Sequence, residues 1–135
     1  MRKIAYVVMI VVSTSCEGTT EPGRLHGSYS GTVYSAATNE GIAGVDVRLN
    51  RDTLLASQFD VRFSSADSDS DGRWYALLEV DVDDEFCATA DSTDVRLIFV
   101  DRTGQYETEE VDAPFCREGN LVAQDLGLAV RMFEE

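Results

Sequence analysis

The stretch Ser64–Val80, SSADSDSDGRWYALLEV, decides how the chain is read. Asp67, Asp69 and Asp71 alternate and run into Gly72. That order opens a calcium loop of the D-x-D-x-D-G kind. It also suits a turn entering a strand, because Asp-Gly between strands is a strong hairpin signal and glycine accepts positive φ without a Cβ clash. Register separates the two. With Asp67 at position 1, an EF-hand loop needs a bidentate Glu at position 12, and Leu78 stands there. Glu79 comes one residue late, which in a strand faces the opposite way. Strand patterns rather than amphipathic helices flank the loop. The segment is therefore expected to be a hairpin turn that delivers Trp74 to a buried face. Asp67, Asp69 and Asp71 remain a weak calcium site, since a cation would relieve the repulsion among three carboxylates.

Working outward, the same alternation recurs. Trp74, Ala76, Leu78 and Val80 share one face of RWYALLEV, and Tyr75 points away from it. Val45, Val47 and Leu49 share a face of AGVDVRLN, and Val95, Leu97 and Phe99 share a face of DVRLIFVD. LLASQFDVRFS puts Phe59, Val61 and Phe63 together. SYSGTVYSA, QYETEEVD (with Tyr106 and Val111 as anchors) and LVAQDLGLAV complete the set. Runs of this kind between turn signals, with no helical period, predict an all-β, antiparallel, seven-stranded β-sandwich. Neither proline, Pro22 or Pro114, falls inside a predicted strand.

The chain has 135 residues, enough for one domain and a tail, and 44% hydrophobic residues, enough for a core. Its formal charge is -14, from 25 acidic against 11 basic side chains. Such a surface repels phosphate backbones and excludes nucleic acid as a partner.

The N-terminus has the layout of a secretory signal. Arg2 and Lys3 precede the apolar run IAYVVMIVV, Ile4–Val12, which falls short of the about 20 residues a membrane-spanning helix needs. Ser13, Thr14 and Ser15 then lead to Cys16. Small residues followed by cysteine at this place resemble the lipobox of bacterial lipoproteins, with Ser13 where an aliphatic residue is usual. The resemblance implies that residues 1–15 are a lipoprotein signal peptide and that Cys16 is acylated and becomes the new N-terminus. It also implies that the protein is anchored to a membrane of the bacterial cell envelope, on a periplasmic or outer face. Residues 16–26, rich in Gly, Thr and charge, read as a flexible tether, and residues 27–135 as the domain.

With Cys16 lipidated, Cys87 and Cys116 remain as an even pair in an oxidising compartment, where a disulfide is expected. A zinc pair lacks further Cys or His ligands nearby, and a catalytic thiol lacks a base, since the only histidine, His26, lies in the tether.

The order SGTVYSAATNEGIAGVDVRL, SDSDGRWYALLEV, VRLIFVDRTGQYETEEV resembles the carboxypeptidase regulatory-like domain, a transthyretin-like (prealbumin-like) Greek-key sandwich. Gly31-Thr32-Val33 matches its G-x-V opening. Gly44 and Val45 match its turn into the second strand, with Gly41 where a proline is usual. Asp71-Gly72-Arg73-Trp74 matches its D-G-x-aromatic turn. The resemblance implies an accessory module spanning residues 27–130. No enzymatic activity is expected. G-x-S-x-G, H-E-x-x-H and phosphate-loop motifs are absent from the sequence, and the ending LAVRMFEE lacks the Y-R-G-S signature of transthyretin-like hydroxyisourate hydrolases. Two roles are left: an interaction module for an envelope protein, peptide or glycan, in which Tyr29, Tyr34, Tyr75 and Tyr106 are the aromatics to place, or a passive spacer at the membrane surface.

Overall fold

A computed structural model describes residues 24–64 and 66–135. The expected signal peptide, Cys16 and most of the expected tether lie outside the described residues.

The described chain is mostly β and forms two stacked sheets. Sheet A has the order β3-β5-β1-β9, with β1 Leu25–Ser35, β3 Val61–Ser64, β5 Arg73–Val80 and β9 Leu126–Met132. Sheet B has the order β4-β2-β6-β7-β8, with β2 Val45–Leu49, β4 Ala66–Asp67, β6 Thr93–Asp101, β7 Glu109–Arg117 and β8 Asn120–Leu121. Among the described residues there are thus nine strands rather than seven, of which β4 and β8 have two residues each. The sheets are also not purely antiparallel. β1 pairs antiparallel with β5 but parallel with β9, because the chain returns from sheet B to the far side of β1 running in the same direction.

The strands form where period-2 alternation places one face in the core. Val45, Val47, Leu49, Trp74, Ala76, Leu78, Val80, Val95, Leu97 and Phe99 are all buried. Trp74 meets Phe99 edge-on across the two sheets, with ring centroids 5.3 Å apart. Tyr29 is fully buried, and its hydroxyl donates to the carbonyl of Pro114 (3.0 Å), tying β1 to β7.

Several expected boundaries move. Leu25 and His26 belong to β1, not to the tether. LLASQ is a short helix, α1 Leu54–Gln58, that carries the chain from sheet B to sheet A, and only VRFS is strand. A second five-residue helix, α2 Phe86–Ala90, precedes β6. Residues 102–108 form a turn, so the seventh strand starts at Glu109 and includes Pro114. Proline is tolerated there because β8 pairs only with Cys116 and Arg117, and the β6 register shifts between Thr93 and Asp94. LVAQDLGLAV divides into β8 and β9. Among the described residues no helix is long and apolar enough to cross a membrane.

Candidate functional site

The opening segment is a crossover rather than a hairpin. β4 belongs to sheet B and β5 to sheet A, so the turn between them joins two layers. Its geometry is held locally. Gly72 N donates to Asp69 O (2.9 Å), and Asp69 N donates to Arg73 O (2.9 Å). The Asp69 carboxylate accepts the backbone N–H of Asp71 and of Arg73, each at 2.9 Å. Those bonds, that of Arg73 foremost, hold the Asp69 carboxyl below its ordinary range. Gly72 takes a left-handed φ of 81° and accepts from Val33 N (2.8 Å), which fixes the turn against β1.

This geometry separates the three aspartates. Asp69 is occupied by the turn, and Asp67 in β4 pairs with Arg102. Asp71 lies beside Thr32, Tyr34, Asn39 and Gly41. Leu78, at the position a calcium ligand would need, is in the core. Among the described residues no group of three or more His, Cys, Asp or Glu is arranged to hold a metal. Of the three carboxylates expected to form a weak calcium site, that of Asp69 is engaged by the turn and that of Asp67 by Arg102.

Cys87 and Cys116 are joined by a disulfide, with Cα atoms 5.3 Å apart. Gly31 of β1 stands opposite Leu128 of β9, and a Cβ there would lie 1.8 Å from Leu128 O. Gly44 and Val45 enter β2 through Ser68, a residue that the sequence shows only as one of a polar tract. Its buried hydroxyl donates to Ile42 O (2.6 Å) and accepts from Val45 N (2.9 Å). Asp101 is likewise a hidden organiser. Its carboxylate accepts from Thr103 N (3.1 Å), Gln105 N (3.0 Å) and Tyr106 N (3.1 Å) and from the Thr103 hydroxyl. Burial pushes this carboxyl up, and the bonds from Thr103, Tyr106 and Gln105 outweigh burial and hold it below its ordinary range.

The outer faces of the two sheets differ in chemistry. On sheet B, Arg48 pairs with Asp46 (2.5 Å), Arg96 with Asp112 (2.8 Å) and Glu110 (3.9 Å), and Arg117 with Asp94. The Arg96 hydrogen bond holds the Asp112 carboxyl down. That face is a lattice of solvated ion pairs. On sheet A, the cross-strand rows align His26 with Glu79, Ser28 with Leu77, Ser30 with Tyr75 and Thr32 with Arg73. Tyr75 is 51% exposed and Leu77 49%, so two large apolar side chains stand on the central strand among small hydroxyl residues. Arg62 ion-pairs with Glu79 at the β3 side (3.8 Å). At the β9 side, the Arg131 guanidinium lies over the Tyr34 ring, 5.8 Å from its centre. Of the four tyrosines singled out, Tyr75 is exposed, Tyr34 and Tyr106 are half-buried, and Tyr29 is core. Leu77, which the sequence offers only as one of two adjacent leucines, completes the patch.

No protein-family model matches this chain, and no curated protein matches it. Among solved structures the chain is similar to a 9R-lipoxygenase from Cyanothece PCC8801, at 16% sequence identity and a TM-score of 0.37. The likeness covers 90% of this chain and 18% of that one, so the chain spans less than a fifth of that protein's length. A likeness of this size carries no argument about activity. The expectation that the chain is not an enzyme is not upheld by this comparison, since the similar structure is itself an enzyme, and no activity passes from that structure to this chain.

Proposed function

We propose that the chain is an envelope lipoprotein whose β-sandwich, of the carboxypeptidase regulatory-like, transthyretin-like Greek-key type, presents the outer face of sheet A to a protein, peptide or glycan partner. The observation that carries the binding role is the contrast between the two faces. Sheet B is covered by paired charges, whereas sheet A exposes Tyr75 and Leu77 on β5, with His26 and Arg62 level with Glu79 at one end of that strand and Tyr34 and Arg131 toward the other end. Exposed apolar side chains grouped on one face mark interaction surfaces, and a passive spacer has no use for them. The fold reading is supported by the places where glycine is sterically required, Gly31 and Gly72, which are the positions of the G-x-V and D-G-x-aromatic motifs. Attachment is through acylated Cys16, beyond the start of β1, and more than one acyl chain makes such an anchor firm.

The test is crosslinking in intact cells with a photoreactive residue at Tyr75 or Leu77, compared with one at Arg48 on sheet B. Adducts confined to the sheet A positions are expected, and equal labelling of both faces overturns the binding role. Detergent partitioning of Cys16→Ala against the parent checks the anchor. The variant is expected to move to the aqueous phase, and unchanged partitioning refutes lipidation.

A further inference from the structure

Among the described residues, sheet B ends on β4 and β8, of two residues each, and β8 covers only Cys116 and Arg117, while the rest of that edge, along β7, is protected by Glu109, Glu110, Asp112 and Pro114. On sheet A, β3 has four residues, and the Arg51 guanidinium donates to its Val61 carbonyl (2.5 Å). β9 differs: it has seven residues, LGLAVRM, with no proline, lysine or acidic residue. Among the described residues it pairs only with β1 along its named length. Long open edges are ordinarily protected, and one left open is a template for pairing.

The backbone defines how much of the edge is open. Ala36 N donates to Met132 O (2.9 Å), and the register pairs Ser35 with Met132. Alternation then turns the backbone groups of Leu126, Leu128, Val130 and Met132 toward β1, and those of Gly127, Ala129 and Arg131 away from it. Beyond Met132 the same edge is already used, since Glu107 N donates to Phe133 O (2.8 Å) and Glu135 N to Gln105 O (3.1 Å). The open stretch is therefore residues 127–131, centred on Ala129.

We propose that a second copy of this chain occupies that edge by antiparallel β9–β9 pairing about a two-fold axis at Ala129. This register sets Ala129 against Ala129 and Gly127 against Arg131 twice, so that all three outward residues of each copy exchange backbone hydrogen bonds. It is also self-complementary in charge. Arg131 lies opposite Gly127 of the second copy, where no atom stands within 4 Å of an added Cβ, and diagonal to that copy's Asp125, at the distance long side chains span. Moving the two-fold axis by two residues along β9 is worse in either direction. Centring on Arg131 opposes two guanidinium groups and collides with the edge taken by residues 105–107, and centring on Gly127 leaves Arg131 without a pairing partner. The inference does not rest on lipidation or on the sheet A partner, although Arg131 borders both surfaces.

Sedimentation of the purified chain, with Ala129→Pro and Arg131→Glu, tests it. Proline at 129 removes an N–H that faces outward and leaves the β1 ladder intact. The parent is expected to dimerise and Ala129→Pro to remain folded and monomeric. Arg131→Glu, which opposes two acidic groups, is expected to weaken dimerisation on the order of tenfold and keeps the test open if the proline variant fails to fold. A monomeric parent, or an undiminished dimer in both variants, overturns the proposal. So does a chain monomeric alone but captured through residue 129 by a different protein in cells, which would assign the edge to another partner.

Discussion

At Gly72 two demands meet in one residue. Its φ is 81°, and an added Cβ would stand 2.3 Å from Val33 O and 2.8 Å from Gly41 Cα. Gly44 has a similar φ of 76°, yet nothing lies within 4 Å of its would-be Cβ. The pair separates backbone strain from collision. Gly44→Ala should cost about 1 kcal/mol, the penalty of a left-handed conformation alone. Gly72→Ala should cost about 3 kcal/mol or more, because the atoms it meets are backbone of β1 and of the 41–42 segment and cannot rotate away. Urea unfolding midpoints of the two variants check this, and equal shifts would remove the collision from the argument. Both glycines are legible in the sequence as turn residues. Their difference is not, since it depends on which strand the turn is pressed against.

Elements divide along the same line between local and non-local information. β2, β5 and β6 are legible because each alternates over five or more residues, and burial follows that alternation at Val45, Trp74 and Phe99. The five-residue helices α1 and α2 are not, because so short a segment shows no helical period. The outer face of sheet A is legible in part. Alternation puts Tyr75 outside, but that Leu77 joins it while sheet B fills with ion pairs depends on the strand order. Asp71-Gly72 reads as a hairpin because the motif is local, whereas the assignment of β4 and β5 to different sheets is made by distant strands. Helices of five residues are not stable alone, and α2 is held by its packing and its disulfide. Phe86 lies between Phe59 (5.3 Å) and Phe115 (6.5 Å), and the adjacent Cys87 is bridged to Cys116 of β7. The bridge joins residues 29 apart in sequence, so replacing both cysteines by alanine should lower stability by about 3–4 kcal/mol. Thermal unfolding of the double variant measures that loss. Thiol labelling of the parent without reductant should find neither Cys87 nor Cys116 reactive, and labelling at both would remove the bridge.

For the whole molecule, stability should be bounded at both ends of the pH scale by identifiable groups. The carboxyls of Asp69, Asp101 and Asp112 are held below their ordinary value of 3.8. A carboxyl depressed in the folded state contributes stability that is complete above the unfolded value and is lost as pH falls through the folded one. Tyr29 is the opposite case. Burial pushes its phenol above the ordinary 10.0, Asp94 adds to the shift and Arg117 reduces it. Its contribution is complete below the unfolded value and is lost as pH rises beyond it. Between these limits the net charge of -14 acts in another way, since mild acidification relieves self-repulsion and should raise stability before the carboxylate contacts fail. The effects can be told apart. Repulsion among exposed charges is screened beyond about 8–10 Å at physiological salt, whereas the bonds that converge on the buried Asp101 are not. Urea midpoints measured from about pH 3 to about pH 11 should therefore trace a dome whose middle flattens with added salt while its limbs persist. Asp101→Asn should make the acid limb shallower. Tyr29→Phe should make the alkaline limb shallower, at a cost of about 1 kcal/mol near neutrality for the lost bond to Pro114. An acid limb that vanishes in high salt would assign acid unfolding to net charge rather than to the turn that Asp101 organises.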